Sequence, residues 1–67
     1  MDYYVKLALK AFYYNPEGFD TDEFYREYLR RCVEDQVKPK SKSFVIKTVC
    51  AETGLRIEER RIKYFRR

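Results

Sequence analysis

The sequence contains no histidine and no tryptophan, and only two cysteines, two glycines and two prolines among its 67 residues. A structural zinc site takes its ligands from cysteine and histidine side chains, so this shortage argues against one. Two cysteines also make no disulfide scaffold. We expect Cys32 and Cys50 to be small buried side chains in a reducing compartment, with a bridge between them as the less favoured alternative. We expect no metal and no cofactor.

Long apolar segments are missing as well. No run approaches the roughly 20 apolar residues that a membrane-spanning helix needs. The N-terminal residues lack the apolar core and the small-residue cleavage site of a signal peptide. We therefore expect an intracellular protein of the cytoplasm or nucleoid that is neither secreted nor bound to a membrane.

Catalytic groups are equally scarce. A cysteine nucleophile needs a base to activate it, and the chain has no histidine for that role. The two glycines stand apart, so no glycine-rich phosphate-binding loop exists. Asp20, Asp22 and Glu23 form a carboxylate cluster that could ligate a metal, but acids also stabilise the first turn of a helix, and we prefer that interpretation. We expect the protein not to be an enzyme.

Charge is divided unevenly along the chain. Residues 1–35 carry five Lys and Arg against eight Asp and Glu, a net charge of −3, whereas residues 36–67 carry ten against three, a net charge of +7. A basic surface on an otherwise acidic domain is typical of a protein that binds a polyanion. An ordinary solvated surface is the alternative. We favour binding because the basic residues coincide with predicted structural elements rather than with a disordered tail.

Apolar spacing predicts two helices in the first half of the chain. The first runs from about Asp2, its cap, to Tyr14, and ends at the turn sequence Asn-Pro-Glu-Gly of residues 15–18. The second begins near Asp20 and Thr21, either of which can cap it. Its apolar stripe comprises Phe24, Tyr25, Tyr28, Leu29 and Cys32.

A third helix is predicted from Ser41 or Ser43, as the cap, to about Thr53, with Gly54 ending it. After it, the apolar residues change parity between Ile57 and the pair Ile62 and Tyr64. A single strand would keep one parity, so we predict a β-hairpin that reverses around residues 58–61. One irregular strand with a bulge is the alternative.

The predicted fold is a small α+β winged helix-turn-helix, with three helices followed by a short β-hairpin wing, and residues 1–67 form one domain. In that arrangement the third helix enters a groove of DNA by its N-terminal end, where free N–H groups and the helix dipole favour phosphate. The wing reaches the adjacent backbone. The residues predicted to bind nucleic acid lie on these two elements: Lys38, Lys40, Ser41, Lys42, Ser43, Lys47, Thr48, Arg56, Arg60, Arg61 and Lys63.

The run DTDEFYREYLRRCVEDQVKPKSKSF resembles the C-terminal winged-helix domain of the poxvirus-type primase-helicases of viruses, phages and plasmids. In that family an aromatic-rich helix of the form LYxAYxxWC precedes a short polar turn, the motif KPLSKxxF and a glycine that ends the third helix. Arg31 stands here where the family has tryptophan, the interval from Ser41 to Gly54 is longer, and the wing lacks its usual glycine. The matching positions are Phe24-Tyr25, Tyr28, Cys32, Lys38-Pro39, Ser41-Lys42 and Gly54.

The resemblance implies a role in the replication or regulation of a virus, phage or plasmid, as a free-standing accessory protein or as an excised domain. DNA is the expected partner, and a replication helicase, primase or polymerase is a further one. The alternative function is protein docking, which Phe44 and Tyr13 would anchor if they are exposed. The pattern separates neither DNA from RNA nor duplex from single strand, and it leaves homodimerisation open.

Overall fold

The structure, a computed structural model, describes residues 3–59 and 61–66, apart from the side chain of Tyr3. Its elements are α1 (Tyr3–Tyr14), β1 (Phe19–Asp20), α2 (Thr21–Glu34), α3 (Lys42–Thr53), β2 (Arg56–Glu59) and β3 (Lys63–Arg66). The strands pair antiparallel in the order β1–β3–β2. The predicted α+β domain with three helices and a C-terminal hairpin is confirmed. In the described ranges no helix combines the length and the apolar character that crossing a membrane requires.

Two of the helices begin where their capping residues predict. The carboxylate of Asp20 accepts a hydrogen bond from the N–H of Asp22 at 2.7 Å, and α2 starts directly after it. The hydroxyl of Ser41 accepts from the N–H of Phe44 at 3.2 Å, and α3 starts directly after it. Each cap satisfies a backbone donor that has no partner inside the helix. In both helices the first of the two predicted caps is the one used.

Glycine marks the two places where the backbone needs a positive φ. Gly54 ends α3 in the left-handed conformation, with φ of 79°, and its N–H donates to the carbonyl of Cys50. Gly18 has φ of 128°, and a Cβ there would lie 2.5 Å from the carbonyl oxygen of Phe65. Because only glycine permits both the angle and the close approach, the turn after α1 can press against β3. The predicted cap of α1, Asp2, lies outside the described residues.

The core is aromatic where α2 meets the sheet. Phe19, Phe24 and Phe65 stack with ring centroids 4.9–5.6 Å apart, the spacing that favours tilted and edge-to-face contacts. Tyr4 meets Tyr28 edge-on at 5.6 Å where α1 crosses α2. The complete buried cluster comprises Tyr4, Val5, Ala8, Phe24, Tyr28, Cys32, Val45, Val49, Leu55 and Phe65.

The predicted hairpin is present, but its turn lies between Glu59 and Lys63, later than the predicted reversal at residues 58–61, and the apolar residues that indicated the reversal are not those that face the core in β3. Ile62 lies in the turn and is exposed, whereas Phe65 has no exposed surface. Phe65 pairs with Ile57 on one side and with Phe19 on the other. Tyr64 points to the other face of the sheet, because successive side chains alternate along a strand. The strand that supplies Phe19 was not predicted, since two residues show no alternation.

A pair of tyrosines holds the segment that leads into α3. The hydroxyl of Tyr28 accepts a hydrogen bond from the N–H of Lys40 at 2.9 Å, and the hydroxyl of Tyr25 donates to the carbonyl of Lys40 at 2.8 Å. The two rings lie 5.7 Å apart on successive turns of α2. Burial raises the pKa of Tyr28, so its hydroxyl stays protonated. This tyrosine clamp secures the chain one residue before the cap of α3.

Both cysteines are free thiols. Cys32 is buried in the core and Cys50 is half-buried on α3, where burial raises the pKa of its thiol. Both positions suit a small apolar side chain, as the sequence predicts.

The tyrosine clamp can be tested by removing one hydroxyl. We expect Tyr28→Phe to lower the free energy of unfolding by about 1 kcal/mol, because the N–H of Lys40 loses its partner. Tyr28→Ala should cost roughly 2–5 kcal/mol, because it also leaves a cavity in the core. Chemical denaturation monitored by circular dichroism measures both. Equal free energies of unfolding for Tyr28→Phe and the native protein would show that the hydroxyl does not contribute to stability.

Candidate nucleic-acid interface

A groove of about 390 Å³ separates α3 from the C-terminal hairpin. Polar and basic side chains border it, and apolar side chains of α3 and β2 contribute to its lining. We call it the α3–hairpin groove, lined by Thr21, Lys42, Ser43, Ile46, Lys47, Cys50, Ile57 and Lys63. Four of the residues predicted to bind nucleic acid, Lys42, Ser43, Lys47 and Lys63, therefore lie together around one concavity.

Helical spacing explains the α3 wall of the groove. Val45 and Val49 are fully buried and fix which side of α3 faces the core. Ser43 and Lys47 are four residues apart, so they share one face beside the groove. With the two valines buried, Ser43 and Lys47 face away from the core, whereas Lys42, three residues before Val45, is exposed because it is the first residue of the helix.

A single buried side chain attaches the opposite wall. Thr21, which is almost completely buried, donates from its hydroxyl to the carbonyl oxygen of Lys63 at 3.2 Å. That bond joins the start of α2 to the start of β3. The side chain of Lys63 is thereby held on the same side of the molecule as Lys42.

Two of the four groove residues are in ion pairs. Lys42 pairs with Asp22 at the start of α2, and Lys63 pairs with Glu59 across the hairpin at 3.1 Å. All four side chains are between 45% and 67% exposed. Such exposed pairs contribute little to stability, because solvent and salt screen both charges. A phosphate group that approaches either lysine therefore competes with a weak partner.

Four other predicted cations have no such partner among the described residues. Within residues 3–59 and 61–66, no carboxylate oxygen lies within 4.0 Å of the charged group of Lys38, Lys40, Lys47 or Arg61. All four residues are exposed. Lys47 is the one of these four that lines the groove, so it offers the groove a positive charge that no described carboxylate offsets.

Some predicted residues lie away from the groove. Arg56 precedes Ile57 on β2, and since Ile57 lines the groove, Arg56 points to the outer face of the sheet. There Arg66 pairs with Glu58 at 3.0 Å. Thr48 is half-buried and lies about 100° around α3 from Lys47. Arg60, also predicted for the wing, lies outside the described residues.

The loop before α3 supplies the remaining predicted residues. Lys38 and Lys40 are exposed there, and the tyrosine clamp holds the backbone of Lys40. The hydroxyl oxygen of Ser41 accepts the hydrogen bond that caps α3, and its O–H remains able to donate to a phosphate.

One exposed aromatic side chain was not among the predicted nucleic-acid contacts. Phe44 lies on the first turn of α3 and is 47% exposed, and the ammonium of Lys40 lies 5.5 Å from its ring centroid. The sequence allowed Phe44 either to fold back over the helix start or to face solvent. The structure shows the second position, with Phe44 about 100° around the helix from the buried Val45.

No protein-family model matches the chain, and no curated protein or solved structure matches it either. Its function has to be inferred from its own residues.

The Lys42–Asp22 pair should be visible in the titration of Asp22. The hydrogen bond from Lys42 lowers the pKa of that carboxyl first, with weaker contributions from the charges of Arg26 and Lys63. A lowered pKa in the folded state favours folding above the carboxyl's unfolded pKa, and this contribution is lost as the pH falls through the folded value. We expect an NMR titration to give a midpoint below the ordinary aspartate value. In Lys42→Ala the midpoint should rise, and an unchanged midpoint would contradict the pairing.

Proposed function

We propose that this protein is a non-catalytic nucleic-acid-binding module whose ligand is DNA. In this proposal α3 and the C-terminal hairpin contact the phosphate backbone and a groove of the nucleic acid. The observation that carries the proposal is the α3–hairpin groove, around which Lys42, Ser43, Lys47 and Lys63 converge from two separate elements. Residues that are distant in sequence lie close together there, and they offer three positive charges and one hydroxyl donor. Such a set of groups suits the binding of a phosphate backbone.

The start of α3 strengthens the electrostatics of the groove. The first turn of a helix leaves backbone N–H groups without helical partners, and its dipole favours an anion. Only one of these donors, the N–H of Phe44, is occupied by the side chain of Ser41. The lysines before and within the first turn, Lys38, Lys40 and Lys42, add their charge at the same end.

The order of elements supports a winged helix-turn-helix assignment. The third helix is followed directly by a hairpin whose second strand also pairs with β1, and helix and hairpin border one groove. Together with the resemblance to the poxvirus-type primase-helicases, this supports a role in the replication or regulation of a virus, phage or plasmid. A DNA-binding accessory domain would hold a replication protein on its template by contacts with the backbone.

A second candidate function is docking on a replication protein such as a helicase, primase or polymerase. The exposure of Phe44 and Tyr13, 47% and 79%, favours it, since exposed aromatic side chains anchor protein interfaces. Substitution of Tyr13 separates the candidates. Tyr13→Ala should weaken a protein complex that this aromatic anchors, and it removes no charge from the groove.

The cations of the α3–hairpin groove and of the hairpin turn, where Arg61 lies, should set both affinity and salt dependence. We expect Lys47→Ala and Arg61→Ala to weaken binding to duplex DNA, and each should reduce the log–log salt slope by about 0.9, because each removes one positive charge that displaces counterions from the DNA. Lys42→Ala should reduce the slope less, since Asp22 already offsets part of that charge. Fluorescence anisotropy across a salt series measures both quantities.

The control for these variants is Lys10→Ala. Lys10 is exposed and lines a separate depression between α1 and α2 with Lys6 and Arg31. The Lys10→Ala variant should leave the salt slope of DNA binding unchanged. If Lys42→Ala, Lys47→Ala and Arg61→Ala all bind like the native protein while they stay folded, neither the α3–hairpin groove nor the hairpin turn is the binding surface.

Removing the acid that competes for Lys42 should have the opposite effect. We expect Asp22→Asn to tighten DNA binding, because it frees the ammonium of Lys42 and removes a negative charge from the edge of the groove. Glu17→Gln makes the same change of charge beside Tyr64 and Arg66, on the outer face of the sheet. It should change affinity much less. Equal effects of the two substitutions, measured by anisotropy at fixed salt, would point to net charge rather than to the groove.

A further inference from the structure

The outward face of α3 carries a defined set of side chains. Phe44, Lys47 and Ala51 are three and four residues apart, so they form one line along the helix, and all three are exposed. Their position follows from Val45 and Val49, which bury the opposite side of α3 completely. If α3 lies in a groove of DNA as proposed, this line is what meets the base pairs.

The chemistry of that line is selective. Lys47 donates hydrogen bonds and accepts none, and Phe44 and Ala51 offer only apolar surface. None of the three is an amide or a carboxylate side chain. The acid of α3, Glu52, is one residue beyond Ala51 and therefore about 100° around the helix, in its last turn.

Base pairs in the major groove differ in what they offer such a face. Guanine presents two adjacent acceptors, N7 and O6, and thymine presents its 5-methyl group beside the acceptor O4, whereas adenine has an amino donor beside its single acceptor N7 and cytosine presents an amino donor. A lysine between two apolar residues matches the first two bases and has nothing for the amino groups of the others.

We propose that α3 reads duplex DNA directly, with Lys47 donating to guanine and with Phe44 and Ala51 contacting thymine methyl groups. The inference rests on the proposed function, because it requires α3 to lie in the major groove. The backbone N–H of Phe44 donates to the hydroxyl of Ser41, which fixes the start of α3, and the ammonium of Lys40 lies 5.5 Å from the Phe44 ring centroid. A ring that already has this contact loses less conformational entropy when it meets a methyl group.

Replacing thymine by uracil in the DNA tests the methyl contact without altering the protein. The probes are a short duplex of d(GT) repeats paired with d(AC) repeats, which offers the pattern in every register, and the same duplex with uracil for thymine. We expect the native protein to bind the uracil duplex about three- to fourfold more weakly for each methyl contacted. A companion duplex with 7-deazaguanine removes the N7 acceptor, and we expect it to bind more weakly as well.

Matched variants assign each preference to a residue. Phe44→Ala should bind the thymine and uracil duplexes with nearly equal affinity, and Phe44→Leu should keep most of the preference, since it keeps apolar bulk. Lys47→Ala should lose the preference for guanine over 7-deazaguanine and keep the preference for thymine. Circular dichroism confirms that each variant is folded before it is compared.

The outcomes separate this inference from the proposed function. Salt-dependent binding of both duplexes with equal affinity would overturn the inference and leave the proposed function standing. Absence of binding to any DNA at low salt would overturn the proposed function itself. Tighter binding to the single strands, lost equally in Phe44→Ala and Phe44→Leu, would show that the ring stacks on unpaired bases. That result would overturn the reading of duplex DNA.

Discussion

The rest of the site depends on two hydrogen bonds at the backbone of Lys40, whose N–H donates to the hydroxyl of Tyr28 and whose carbonyl accepts from the hydroxyl of Tyr25. α3 begins just beyond Lys40, and its direction sets where every candidate contact residue points. The two tyrosines lie on successive turns of the longest helix, and one of them is also part of the core. The same ring therefore contributes to the stability of the fold and determines the position of the candidate interface.

A second constraint positions the other wall. The stacked rings of Phe19, Phe24 and Phe65 hold the sheet against α2, and Thr21 adds a hydrogen bond to β3 from the start of that helix. α2 is thus in contact with both walls of the α3–hairpin groove. No described ion pair joins α3 to the hairpin. The contacts that each of them makes with α2 therefore set the width of the groove. α2 therefore positions both walls of the site, although most of its charged face is turned to solvent.

Much of this arrangement could be predicted, because the apolar residues of a helix recur every three or four positions and this period is visible in a short stretch of sequence. The apolar stripe of α2 and the valines of α3 show the helical period, and Asp20, Ser41 and Gly54 mark helix ends by local chemistry. What sequence reasoning missed depends on contacts between distant segments. β1 exists because Phe19 pairs with Phe65, and the alternation of the hairpin is set by that same pairing. The pairing of Lys42 with Asp22, and the outward position of Arg56, follow only once helix and hairpin are packed.

The edges of the sheet have a consequence for how copies of the protein meet. β2 is an outer strand with one unpaired backbone edge, and three of its four residues, Arg56, Glu58 and Glu59, are charged. At the other edge β1 is only two residues long. Charged and short edge strands discourage a second molecule from adding its own strand, which is how many proteins avoid aggregation through their sheets. Self-association at high concentration would therefore need a surface other than the sheet edges, and the domain should stay dispersed in conditions under which an exposed apolar strand would nucleate fibres.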